Sequence, residues 1–426
     1  MNINNPPLIE QDVSAPISRK EYLFPLILIT SLFFFWGFVH NLDPILIPHL
    51  RKAFKLTDLE SSLVDFSVFI AYFVMAMPAG YLMRKWGYKT GIIVGLLLFG
   101  IGSLLFIPAA DTKMYAFFLG ALFVIACGLA VLETAANPYV TILGPPQTAD
   151  FRLNFSQSFN GLAAFLAPIV GAKFIFTEAG YTEAQVAAMT PQAYDAYVTA
   201  EAASVKGPYT VLGIIILVVL VLFIFTKLPD IKSDPKEGKS KISDALKFVN
   251  LRWGILAQFF YVGAQVCVLS FFVRFVVVSA NIDEKAAAVY AGFAGLAFML
   301  GRFVGTFFMK YVSSKKLLSI YAVICMLLTL VAILGEGAVT IYALIGVSFF
   351  MSIMFPTIFS LGISGLGEHT KTGSSLIVMS IVGGAILPLT LGYISDVTAS
   401  IQYGYAVPLV CFFVVFLFAK NVKAAI

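Results

Sequence analysis

Twelve long apolar runs dominate this chain, and they leave it few ways to fold. They cover about 23–49, 59–82, 90–109, 114–142, 150–177, 207–227, 251–280, 286–310, 316–334, 338–364, 372–393 and 404–420, each near or above the ~20 residues that carry a helix across bilayer hydrocarbon. In lipid no water satisfies the backbone, so only helices and closed barrels can span. These runs are too long and unbroken for barrel strands of about 9–11 residues. The predicted fold is an all-α membrane protein with twelve transmembrane helices. Composition agrees: of 426 residues 60% are hydrophobic and 12% charged, against about 25% charge in a soluble domain. The first run begins at Leu23 and is too long for a signal-peptide core of about 7–15 residues, so it is expected to remain as the first span.

Charge placement predicts orientation. With the N-terminus inside, Lys and Arg outside the spans favour the inside by about three to one, which puts both termini in the cytoplasm. An integral, multi-pass protein of a bacterial inner membrane is expected. The net charge of +5 is small, and no basic cluster is interleaved with aromatics, so nucleic acid is excluded as a partner. The four cysteines, Cys127, Cys267, Cys325 and Cys411, lie inside apolar runs without metal or redox spacing, and read as small hydrophobes. The histidines His40, His49 and His369 are too scattered for a metal site. No metal and no cofactor are expected.

The chain divides at a polar, lysine-rich stretch. The predicted organisation is a cytoplasmic tail at 1–22, a six-helix half at 23–227, a linker at 228–250, a second six-helix half at 251–420 and a tail at 421–426. The connection 178–206 is Ala-rich and mildly acidic, and is expected to form a short surface helix outside.

The halves echo each other. Gly80 near the end of the second span is followed by the basic turn Arg84-Lys85-Trp86-Gly87-Tyr88-Lys89; Gly305, near the end of the eighth, is followed by Lys310 and Lys315. The fourth span holds Pro138-Tyr139-Val140-Thr141-Ile142-Leu143-Gly144, the tenth Pro356-Thr357-Ile358-Phe359-Ser360-Leu361-Gly362. The proline-to-glycine spacing is the same. Two repeated halves predict a transporter with its site between them near the midplane.

Polar residues inside spans mark that site, because a charge in hydrocarbon is costly and seldom idle. Glu133 and Asn137 are four apart in the fourth span, on one helix face. Pro138 follows and frees a backbone carbonyl one turn earlier. Desolvation penalises a charged carboxylate, which suits Glu133 to load and release a proton; the structural alternative is a fixed ion pair, for instance with Arg302. Asp43, before Pro44, reads as a second coupling carboxylate, a cation ligand or a cap at a helix break. In the fifth span Asn154, Gln157 and Asn160 advance along one side; in the seventh Gln258, Tyr261 and Gln265 share a face. Amides donate and accept without charge, as a polyol requires, although they also join helices in lipid. Trp36 is placed to stack on a sugar ring. Arg302 is a gate or a buried pair.

These residues resemble the major facilitator superfamily, and within it the fucose permease branch of sugar–proton symporters. The resemblance runs over nearly the whole chain. It is carried by Leu132-Glu133-Thr134-Ala135-Ala136-Asn137-Pro138, Phe151-Arg152-Leu153-Asn154, Gln157-Ser158-Phe159-Asn160, Ala257-Gln258-Phe259, Tyr261-Val262-Gly263-Ala264-Gln265 and Phe355-Pro356-Thr357. It implies a proton-coupling and sugar-binding role for Glu133 and a sugar-lining role for Gln157 and Asn160. The superfamily's loop motif has Arg84 where aspartate is usual. The branch's first-span aspartate position holds Pro44, with Asp43 one residue earlier, about 100° around a helix. Asn41 matches a polar position of the same motif.

The expected function is uptake of a neutral hexose or 6-deoxyhexose by alternating access, coupled to protons through Glu133, in a monomer. Sugar is expected at Asn41, Glu133, Asn137, Gln157, Asn160, Gln258, Tyr261, Gln265 and Trp36. Sodium coupling through Asp43, uncoupled transport of glucose, galactose or an amino sugar, and a non-transporting sugar sensor are the alternatives. A membrane-embedded enzyme would need a nucleophile–base pair or metal cluster at membrane depth, which the spans do not offer. The predicted orientation has a direct test. A reporter active only in the cytoplasm, fused after Ile426 or within 228–250, is expected to be active; silence at either position reverses the topology.

Overall fold

The computed structural model describes residues 19–42, 46, 50, 53–56, 58–175, 185–186, 188–228, 242–282 and 284–422. Its elements are helices. In the first half these are α1 (Arg19–His40), α2 (Asp58–Leu104), α3 (Tyr115–Ile142), α4 (Ala149–Ile175) and α5 (Pro191–Phe225). In the second half they are α6 (Val249–Ser270), α7 (Glu284–Phe308), α8 (Ser314–Leu334), α9 (Ala338–Met351), α10 (Met354–Ile363), α11 (Thr370–Met379), α12 (Gly383–Thr398) and α13 (Ala406–Asn421). Large apolar side chains point outward, with Phe225 82% and Leu389 74% exposed. Only lipid makes such a surface stable, so the protein is an integral, multi-pass membrane protein.

Among the described residues, ten stretches are long and apolar enough to cross a bilayer. One departure from the expected runs has a physical cause. The second and third spans lie in one 50-residue stretch, Leu63–Thr112, broken at Gly87, where φ is 83°. Glycine adopts that left-handed conformation without a Cβ penalty, so the chain reverses in a single residue. The fifth span, α4, has 27 residues and carries Asp150, Arg152, Asn154, Gln157 and Asn160 in its first half. It is polar because it faces the other half.

The expected surface helix at 178–206 is also revised. Within the described part, residues 191–206 continue into the sixth span as one 35-residue helix, capped by the Thr190 side chain accepting from Ala193 N. Of the linker, 242–245 forms one helical turn, and 229–241 lies outside the described residues.

Close crossings hold each half. A Cβ on Gly128 of α3 would lie 2.5 Å from Phe99 N and 2.6 Å from Gly95 O of α2. Without a side chain there, backbone meets backbone, the contact that packs helices where lipid supplies no hydrophobic drive. Lys89 closes the far end of α5 by donating to Ile224 O and Thr226 O, both at 2.9 Å. A cation there complements the helix terminus and its open carbonyls. Between the halves α4 packs on α7 and α10, and α11 packs on α2 and α3.

Gly128→Val is expected to force α2 and α3 apart and to cost about 1–3 kcal/mol, the range for overpacking a filled contact. Thermal unfolding in detergent reads it as a lower Tm; an unchanged Tm would mean that the crossing tolerates separation.

Candidate functional site

The site is built on two proline-bearing helices, α3 with Pro138 inside it and α10 with Pro356 just after the α9–α10 break. Pro138 has no N–H, so the carbonyl four residues earlier, Thr134 O, loses its helical donor. That donor comes from the other half: Ser374 Oγ of α11 lies 2.9 Å away. Pro356 leaves Ser352 O open in the same way, at the break between α9 and α10. Arg302 Nε of α7 fills it at 2.9 Å. Tyr261 of α6 donates its hydroxyl to Met351 O at the same break, at 3.0 Å.

Arg302 carries the second half into the first. Its Nη1 donates to Gln157 O at 2.6 Å, Gln157 Oε1 at 3.2 Å and Asn160 Oδ1 at 3.3 Å. Gln157 Nε2 donates to Asn137 Oδ1 at 3.1 Å. Glu133, one turn before Asn137, is 2% exposed. Its polar neighbours are Tyr72 and Asn137, with Arg302 in electrostatic reach. Asn137 Nδ2 stays short of a formed hydrogen bond. Guanidinium and carboxyl therefore communicate through two amides, and Arg302 bonds to carbonyl and amide oxygens.

Glycines make the room. A Cβ on Gly161 would sit 3.0 Å from Arg302 Cδ, and one on Gly37 would sit 2.8 Å from Asn160 Cγ. Arg152 fixes the α3–α4 hairpin by donating to Val140 O at 3.1 Å, Thr141 O at 2.6 Å and Pro145 O at 2.8 Å. That hairpin sets the register of Asn137 against Gln157.

From this cluster a row of polar contacts between the halves runs to the end that carries the start of α1 and the close of α13. Ser158 pairs with Thr306 at 3.5 Å, Asn154 donates to Thr357 at 3.2 Å, Ser360 donates to Asp150, and Arg84 donates to Thr372 at 2.7 Å. Lys371 lies over the Tyr88 ring at 5.0 Å. At the opposite end the ion pairs stay within one half: Lys113–Asp195 at 2.7 Å and Lys206–Asp111 at 2.8 Å in the first, Arg274–Asp396 at 4.0 Å in the second.

The structure thus brings Glu133, Asn137, Gln157, Asn160, Arg302 and Tyr261 together. Gln258 is fully buried one turn from Tyr261, with neither amide atom hydrogen-bonded. Gln265 follows Tyr261 by one turn and is half-buried. Trp36 is buried against Phe33, ring centres 5.2 Å apart. Asn41 donates to Gly37 O of its own helix at 2.7 Å, beside the Gly37–Asn160 contact. Asp43 lies outside the described residues. Tyr72 and Ser374 were not singled out from the sequence: one tyrosine among 18 carries no signal, and the carbonyl that Ser374 meets belongs to a helix 240 residues away.

A two-half helical bundle with buried amides and charges between its halves defines a class of membrane carrier. The chain matches the family model of the Major Facilitator Superfamily over residues 26–388, and it belongs to that family. It is 41% identical to an L-fucose-proton symporter of Escherichia coli (strain K12), over 94% of this chain and 93% of the relative. It is also 41% identical to a glucose/galactose transporter of Brucella abortus, over 93% of each. Among solved structures it is similar to a major facilitator transporter, FucP, in the outward conformation, with a TM-score of 0.88 and 40% identity over 95% of this chain and 100% of that one. A proton:xylose symporter shares the fold at a TM-score of 0.69 and 14% identity.

Proposed function

We propose that this protein is a secondary active transporter that takes up a neutral hexose or 6-deoxyhexose together with a proton, by alternating access in a bacterial inner membrane, with both termini cytoplasmic. The observation that carries the reading is the buried cluster of Glu133, Asn137, Gln157, Asn160 and Arg302, contributed by both halves at mid-depth. Amides present donors and acceptors without net charge, which matches the hydroxyls of a sugar and offers nothing extra to an ionic solute. Two relatives, a fucose–proton symporter and a glucose/galactose transporter, stand at equal identity, so a monosaccharide is the common substrate class.

In this reading the polar row from Arg302 to Arg84–Thr372 is the closed inner gate, and the opposite end faces outward. Sugar enters from outside and meets Gln157, Asn160, Asn137, Asn41, Gln258, Tyr261 and Gln265, with Trp36 as the ring platform. Glu133 takes a proton with it, so its carboxyl is neutral when the halves rock. Inside, deprotonation accompanies release. The working unit is a single chain, since both halves of the site come from one sequence and connect through 228–250.

Uptake of labelled sugars into proteoliposomes tests the reading. An imposed pH gradient, acid outside, is expected to drive accumulation that unlabelled fucose, glucose or galactose competes down. Glu133→Gln is expected to reduce accumulation to the equilibrium level. Accumulation driven equally well by a sodium gradient at uniform pH would instead favour sodium coupling through Asp43. Binding of sugar without accumulation would favour a sensor.

Gln157→Ala and Asn160→Ala are each expected to weaken sugar binding about 3–10-fold, the worth of one neutral hydrogen bond. Competition by unlabelled sugar reads this directly; unchanged affinity in both variants would move the sugar site elsewhere.

A further inference from the structure

The hydrogen bonds around Arg302 run in one direction. A guanidinium has five N–H donors and no acceptor, so every partner must turn an oxygen toward it. Gln157 does so with its carbonyl and with Oε1. Its amide nitrogen therefore points the other way, onto Asn137 Oδ1. With that oxygen engaged, Asn137 turns its nitrogen outward, buried and short of a formed bond, with the Glu133 carboxyl as its neighbour. An orientation imposed in the second half is handed through two amides to a carboxyl in the first.

We propose that Arg302, Gln157 and Asn137 form a polarity relay through which a proton on Glu133 loosens the clamp that Arg302 makes between the halves. The proposal rests on the reading of Glu133 as the proton-loading group. An ionised Glu133 only accepts, and two donors face it, Tyr72 and Asn137. A protonated Glu133 brings a donor of its own, and that donor is met when one of these contacts reverses. If Asn137 turns over, its nitrogen meets the nitrogen of Gln157. Gln157 then turns as well and presents a nitrogen to the guanidinium. Arg302 loses the Oε1 contact and keeps the Gln157 carbonyl, Asn160 Oδ1 and Ser352 O. Tyr72 is the competing outlet, because a hydroxyl can rotate to accept.

Among the described residues, the other charged and titratable groups on the neighbouring elements are engaged elsewhere or lie outside this route. Around Glu133, α2 supplies Tyr72 and α7 supplies Arg302, with Tyr261 of α6 in electrostatic reach of the guanidinium. On α4, Asp150 is engaged with Ser360 and Arg152 with the carbonyls of the hairpin. On α11, Lys371 lies over Tyr88. On α1, His40 lines a small cavity with Val39, Val68, Leu122, Ile125, Ala126 and Leu129. Residues 354–363 of α10 have no ionisable side chain.

The relay is tested without sugar. Spin labels at Trp86→Cys and Tyr311→Cys, which are 53% and 72% exposed and sit on opposite halves at the clamped end, report its opening by pulsed electron paramagnetic resonance in nanodiscs. Cys127 is replaced by Ala, since it is the native cysteine that is not buried. Acidification from mildly alkaline to mildly acidic pH is expected to raise the separated population about tenfold, the weight of one hydrogen bond to a charged donor. Glu133→Gln must remove the response. Gln157→Leu and Arg302→Met, which break the relay on either side of the interface, must remove it too. Arg302→Lys, the conservative change, should retain part of it, and Tyr72→Phe should enlarge it. Monodispersity on gel filtration checks that each variant is folded. A full response in either Gln157→Leu or Arg302→Met overturns the relay, as does a pH-independent distance in the parent. Gradient-driven sugar accumulation is scored separately on the parent. Its loss counts against the transport reading, whereas a pH-independent distance in a protein that still accumulates sugar counts against the relay alone.

Discussion

In hydrocarbon a carbonyl without a donor has no water to turn to. Pro138 and Pro356 create two such carbonyls, Thr134 O and Ser352 O, at corresponding places in the two halves. Their donors, Ser374 and Arg302, pull α11 against α3 and α7 against the α9–α10 break. The second of these has the larger consequence. Once one edge of the guanidinium is committed to Ser352 O, its remaining N–H groups face α4 and require oxygens there. Gln157 and Asn160 supply them, and Gly161 leaves room for the side chain to pass. A buried charge is tolerable only when its hydrogen bonds are met, so the amides of the fifth span are as much a condition for Arg302 as Arg302 is for them.

Much of the fold was legible because membrane insertion is a one-dimensional constraint. Length and apolarity place most spans within a few residues, and the Pro-to-Gly repeat marks the two helices whose prolines free a carbonyl at the site. The exceptions are instructive. The α4 span carries Asp150, Arg152, Asn154, Gln157 and Asn160 because it packs against α7 and α10 of the other half, so its polar residues follow from what it lines and not from the lipid. The 191–206 stretch, polar enough to read as a separate surface element, continues the sixth span because Pro191 and the Thr190 cap start a helix that runs on through Gly207 and Pro208.

The site was legible as a set of residue types but not as a network. Glu133, Asn137, Gln157 and Asn160 stand out because each is polar inside an apolar run. Their connectivity depends on Arg302, and the sequence left open whether that arginine pairs with the glutamate. The structure separates the two by Gln157 and Asn137, a relation that no spacing rule along a single helix encodes. Tyr72 and Ser374 escaped for the same reason: their significance lies in what they meet across the bundle.

The two ends of the bundle are held by different chemistry, and the difference suits a seal that must break. Bonds between the halves at the clamped end are mostly hydroxyl and amide contacts, such as Ser158–Thr306 and Asn154–Thr357. Each is worth about 1 kcal/mol net and is exchanged for water when the surfaces part. A seal of buried ion pairs would cost far more to open, because a charge left without its partner is strongly penalised. Among the described residues, the ion pairs at the opposite end lie inside each half and do not bridge the two. Arg302, like Arg84 and Asp150, brings a full charge to the interface, and its partners are neutral oxygens, two of them on amides that can turn. That combination lets one contact be strong in one arrangement of the amides and weaker in another, without stranding a carboxylate.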